Sequence, residues 1–147
     1  LSGTPHFIAL GFAFGVGVSF TPLIGFHVAL TVLLCYLFRG SILAGVLGTL
    51  VGNPWTALPI WISTYETGRF ILYARTGDML KDHSFTETTI NFKYLMEHIG
   101  IYFWPMLAGS IPVGFVVGLI FYSFIFKMTE EFQKKRKERF LKKQGRP

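Results

Sequence analysis

Three long stretches of this chain carry no formal charge: residues 1–38, 40–65 and 98–126. Inside them apolar residues follow one another without a polar face, the pattern of helices with apolar surroundings on every side. The first apolar run, Phe7 to Phe38, would form a rod of about 48 Å, against about 30 Å for the hydrocarbon core of a bilayer. At its centre stands "VSFTPLIGFH", Val18 to His27. Pro22 removes a helix hydrogen bond and clashes with the turn before it. Thr21 is pushed out of the α region by that proline, and Gly25 weakens the helix further. The halves Phe7–Ser19 and Phe26–Phe38 are each about 20 Å long. Half-length helices meeting at a polar tip predict a re-entrant hairpin, ahead of a single kinked and tilted span.

The second run, Ser41 to Tyr65, has Asn53-Pro54 at its centre and Pro59 after it. Its length fits one kinked span and its halves fit a second hairpin; the pattern does not choose between them. Both arrangements place Asn53 to Thr56 beside the Thr21–His27 tip. Two apolar runs with central proline breaks form a weak internal repeat of the kind that marks transporter sites. The third run is more regular. Span 105–126 supplies one full crossing, with a kink expected at Pro112. The polar segment 66–98 between runs two and three suits helices lying in an interface, one of them with Phe92, Leu95, Met96 and Ile99 on one face and Ser84 or Thr86 as its cap. Aromatic residues at the run ends (Phe38, Trp61, Tyr65, Tyr102, Phe103, Trp104, Tyr122) fit an interfacial belt. The expected fold is thus an all-α membrane protein of broken or re-entrant hairpins, interfacial helices, one C-terminal span and a basic helical tail.

Composition agrees. Of 147 residues, 51% are hydrophobic and 15% charged, too little polar surface for a soluble domain. The first run has no basic start and is too long and broken for a signal peptide. The chain opens on Leu1 rather than methionine, which leaves room for residues before it. The net charge of +6 becomes informative once located: residues 127–147 hold nine Lys/Arg and three Glu, so the whole excess lies there. That divides the chain into a polytopic membrane domain, 1–126, and a basic tail, 127–147, and places the C-terminus in the cytoplasm. The tail carries i,i+4 pairs at Glu130–Lys134, Glu131–Lys135 and Glu138–Lys142, is expected to end at Gln144 to Pro147, and would attract anionic headgroups. Cys35 is alone, so no intramolecular disulfide is possible. GxxxG spacings at Gly11–Gly15, Gly48–Gly52 and Gly114–Gly118 predict close helix packing within the chain.

No catalytic constellation, phosphate loop or metal-ligand spacing is present, so neither an enzyme, a metal site nor a cofactor is expected. What remains are polar groups inside apolar runs, which are costly in a membrane and point to function. Ser19, Thr21 and His27 surround the first break with Pro22 and Gly25; Asn53 and Thr56 surround the second with Pro54. Arg39 is the first formal charge, and Glu66 with Arg69 closes the second run. Each has a plain structural role open to it. His27 can be a packing residue, Arg39 an interfacial anchor, and Asn53 a cap for backbone freed by Pro54. If the breaks face each other, bare helix N-termini joined by Arg39 could hold a phosphate or carboxylate.

The ordered set "GTPHFIALGFAFGVGVSFTPLIGFH", an Arg-Gly pair, "GTLVGNPWT" and a Tyr-x-x-Gly resembles the bacterial membrane family called domain of unknown function 2062, closely over Gly3 to Gly68 and most of all its alphaproteobacterial members. In those members the Arg-Gly pair is usually followed by Asn, where this chain has Ser41. The resemblance implies a bacterial inner-membrane protein, some members being fused to glycosyltransferase domains, and no established activity. The paired breaks are also similar to the hairpins of DedA-type lipid carriers. Two functions are expected to compete: transport or binding of an anionic small molecule or phosphate-bearing lipid headgroup at the breaks, in a homo-oligomer, or an accessory subunit of a larger membrane complex. The expected partners are the bilayer and its anionic headgroups, with no nucleic acid.

Overall fold

The computed structural model describes residues 3–23, 25–73 and 99–143. Its described residues form five helices and no strand: α1 (Pro5–Ser19), α2 (His27–Leu37), α3 (Ile42–Thr49), α4 (Pro54–Tyr73) and α5 (Ile99–Lys143). Thr4 starts α1 by accepting from the Phe7 N–H at 3.2 Å, with Pro5 at the first helical position, where its missing N–H costs nothing. Ser41 caps α3 in the same way, accepting from Ala44 N–H at 3.3 Å. Asn, which the resemblance puts at this position, is an equally good cap, so the departure keeps the local structure.

Contacts set the direction of each helix. His27 meets Thr21, and Phe38 lies 5.3 Å from Phe14, so α2 runs back along α1. Gly11 faces Ser41, Gly15 faces Gly45, and Ser19 bonds Thr49, so α3 runs parallel to α1. In α5, Gly114 faces Gly17 and Phe121 stacks on Phe12, while Gly109 faces Thr64 and Pro105 faces Gly68. α5 is therefore antiparallel to α1 with its middle and to α4 with its first part.

The seams are backbone against backbone. A Cβ on Gly15 would enter the Gly45 carbonyl, and one on Gly114 would come within 2.7 Å of the Gly17 oxygen. Gly11, Gly48, Gly52 and Gly118 are likewise turned to neighbouring helices of the same chain. A core of Val16, Phe20 and Ile60 closes where α1, α4 and α5 meet, and a second cluster joins Tyr65, Tyr102 and Met106.

Several expectations change. The second run divides into α3 and α4, which run in the same sense as a kinked span would rather than as a hairpin, and α4 continues past Tyr65 through Glu66 and Arg69 to Tyr73. Those two charges stand 3.1 Å apart as an i,i+3 pair on the helix. Tyr65 and Tyr102 are not belt residues; they are buried, with their rings 5.4 Å apart. The third run begins at Ile99, earlier than the expected span, and stays helical through Pro105 and Pro112 into the basic segment, which is helical as expected. Glu130–Lys134 closes at 3.1 Å, whereas the other two tail pairs are not formed among the described residues. The expected interfacial face at Phe92, Leu95 and Met96, the caps Ser84 and Thr86, and the end at Gln144 to Pro147 lie outside the described residues.

Candidate functional site

Both breaks lie side by side. At the end of α1 the Ser19 hydroxyl lies 2.9 Å from the Gly15 carbonyl and 3.1 Å from that of Thr49, the last residue of α3. Its single proton is shared between the two acceptors. Thr49's carbonyl, at the end of α3, also accepts from the Gly52 N–H at 3.1 Å. Buried Ser19 thus joins two helix ends across 30 residues of sequence.

The first break is closed from within. Thr21 donates its hydroxyl to Val18 O at 2.8 Å, and Gly25 turns the chain at φ 91°. His27 Nε2 stands 3.0 Å from Thr21 O, and because a carbonyl only accepts, Nε2 is the donor in this contact. α2 starts there without a side-chain cap. The second break is a reciprocal cap. Asn53 Oδ1 accepts from Trp55 N–H (2.9 Å) and Thr56 N–H (3.0 Å), and Thr56 Oγ1 accepts from Asn53 N–H at 3.1 Å. The Thr56 hydroxyl also bonds Val51 O. This is a capping box with threonine at its third helical position, and it satisfies N–H groups that Pro54 and the helix start would leave bare.

The remaining predicted residues do not join them. Arg39 is exposed at the α2–α3 corner, at the opposite end of α2 from His27 and about 16 Å away along the helix. It cannot complete an anion site at the breaks. Its own geometry is unusual. α2 ends with Gly40 N–H donating to Cys35 O at 2.8 Å and with Arg39 at φ 54°, a Schellman end with arginine where glycine is the usual choice. Ser41 N–H then bonds Phe7 O at 2.9 Å, tying the corner to the start of α1. Glu66 and Arg69 pair with each other on α4, about 18 Å along the helix from Pro54. Both are partly exposed, so their pairing is of the kind that adds little stability. Among the described residues no three His, Cys, Asp or Glu side chains gather as metal ligands.

Two features escape the sequence pattern. The Gly68–Gly109 contact packs α4 on α5; Thr64-xxx-Gly68 and Pro105-xxx-Gly109 were its visible signal. The other is a groove of about 390 Å³ between α1, α2 and α5, with Thr21 and Ser110 at one end and Tyr122 at the other. At the Tyr122 end His6 Nδ1 lies 2.7 Å from the Tyr122 hydroxyl, and Gln133 donates to Gly3 O at 2.8 Å. No run of sequence contains that groove; three helices make it.

The chain belongs to the domain of unknown function 2062, a family described as an uncharacterized protein conserved in bacteria, whose model matches residues 1–138. That match takes in all the breaks and most of α5. No curated protein and no solved structure matches the chain.

Proposed function

We propose that this is a polytopic protein of the bacterial inner membrane that binds or transports an anionic small molecule, or the headgroup of a phosphate-bearing lipid, at its paired helix breaks. α5 has an apolar window of mean hydropathy 2.0, only 28% of it buried, whereas a soluble core helix is covered. Phe26, Trp55, Ile111, Phe115 and Phe124 are all more than 60% exposed, an apolar surface that water would not tolerate. α1 and α2, at about 22 and 16 Å, are too short to cross and suit a re-entrant hairpin. With the basic end of α5 in the cytoplasm, the hairpin enters from that side; α3–α4 crosses outward as one broken helix and α5 returns.

The observation that carries the functional reading is the Ser19 hydroxyl shared between the two breaks. Irregular backbone at membrane depth is tolerated where protein satisfies it or a cavity is lined by it, and paired broken helices are a recurrent design of transporter sites. One observation favours the second reading, an accessory subunit: the polar side chains of both breaks already bond backbone. Purification in mild detergent followed by native mass spectrometry separates the two. Binding at the breaks predicts a retained phosphate-bearing molecule that Asn53→Ala and His27→Ala lose while the protein stays folded. Unrelated polypeptides in fixed ratio, with no such molecule, would establish the subunit instead.

A further inference from the structure

We propose that the groove between α1, α2 and α5 holds one acyl chain of an anionic phospholipid from the cytoplasmic leaflet, with its headgroup at Arg39. The inference rests on the membrane placement proposed above, and it concerns a groove that adjoins the first break at Thr21 but takes in no residue of the second.

The lining decides the chemistry of the occupant. Leu10, Phe14, Leu34, Ile111 and Leu119 form the walls, and the hydroxyls at the deep end, Thr21 and Ser110, are turned to backbone carbonyls at 2.8 Å each. A hydrated solute gains nothing in such a slot; a hydrocarbon chain does. Length agrees as well. From Ser110 to Tyr122 the groove follows α5 for about 18 Å, close to the roughly 15 Å of one leaflet, half of a 30 Å core. It opens along one side, so a chain can enter from the bilayer without threading.

Charge at the mouth selects the headgroup. Beyond Tyr122 the same face of α5 reaches Arg136 only about 21 Å further along the helix, so the charge at the mouth itself is that of Arg39. On the other flank Phe38 leaves α2 to pack on Phe14, and the exposed Arg39 follows it. Arg39 has no ion-pair partner among the described residues and sits at φ 54°, where a non-glycine residue is strained by about 1–2 kcal/mol. A guanidinium at this edge can take a lipid phosphate through paired N–H donors.

The test is photocrosslinking of the purified full chain in phosphatidylcholine vesicles, with trace phosphatidylglycerol or phosphatidylcholine bearing a diazirine at the tail. The groove predicts labels concentrated on Leu34, Ile111 and Leu119, displaced by Ala13→Phe and by Ile111→Trp, and unmoved by Ile120→Phe on another face of α5. Ile111 is 72% exposed, so its replacement fills the groove without disturbing a packed position. Arg39→Gln should lower labelling by the phosphatidylglycerol probe about fivefold, the equivalent of about 1 kcal/mol per basic residue at an anionic surface, and leave the other probe unchanged. Equal labelling of Leu43, Ile120 and Phe124 would mean ordinary surrounding lipid and overturn the groove. An Arg39→Gln variant that lowers both probes alike, or neither, would overturn the headgroup assignment. No label anywhere would overturn the membrane placement itself. Asn53→Ala leaves the groove labels in place, so failure at the breaks and failure here are told apart.

Discussion

The two breaks begin with the same chemistry, a polar residue followed by proline, and end in opposite ways. After Thr21-Pro22 the chain reverses; after Asn53-Pro54 it starts a helix in the same sense as the one before. In the first, Pro22 lies outside any helix, and Gly25 at φ 91° lets the backbone double back until His27 reaches the Thr21 carbonyl. In the second, Pro54 is itself the first helical residue and Asn53 closes the cap on it. At these two places proline follows a helix end and leaves the new direction to the residues beyond, whereas Pro59, Pro105 and Pro112 lie inside continuous helices. A glycine free to turn gives a hairpin; a capping side chain gives a new helix at once.

The largest test of that contrast removes what holds both breaks level. Gly15→Leu would drive a side chain into the Gly45 backbone, and α1 and α3 would have to separate, at a cost of about 3 kcal/mol or more. The thermal midpoint of the purified protein in mild detergent should collapse; an unchanged midpoint would show that the seam does not support the breaks. Gly25→Ala comes next. Nothing lies within 4 Å of the added methyl, so its expected cost of about 1–2 kcal/mol is conformational alone, and Gly25→Asn should recover part of it. If Ala is harmless there, the reversal does not depend on the left-handed turn. At the other break, Asn53→Ala should cost about 1 kcal/mol, and Asn53→Asp should cost less by keeping the oxygen acceptor. Equal loss in both variants would move the role of Asn53 away from capping. The smallest effect is opposite in sign: Arg39→Gly should stabilise by about 0.5 kcal/mol, since relief at φ 54° is partly offset by greater freedom in the unfolded chain. A lower midpoint would mean that the arginine side chain contributes to the fold.

Much of the helical plan was legible. Breaks at Pro22 and Pro54, a long third helix and helical continuation into the basic segment all follow from local rules that a single strand of sequence obeys. The end of α4 was not, because the Gly68 seam packs a charged segment against α5 where hydropathy alone suggested a boundary. The candidate residues were legible as polar groups in apolar runs, and their grouping was not. Arg39 looked like the charge for the breaks because it stands between them in sequence; folding α2 back along α1 carried it to the far end. Tyr65 and Tyr102 looked like surface aromatics and instead pack against each other, a contact between residues 37 positions apart.

What the sequence determined by itself is the set of helices and stops, through proline, glycine and capping chemistry acting over a few residues, and the location of net positive charge. Which stops meet, which face of each glycine helix is covered, and the groove that three helices line together were decided only in the tertiary structure. Those depend on backbone surfaces brought within van der Waals reach by residues 30 or more positions apart, and no local pattern carries that distance.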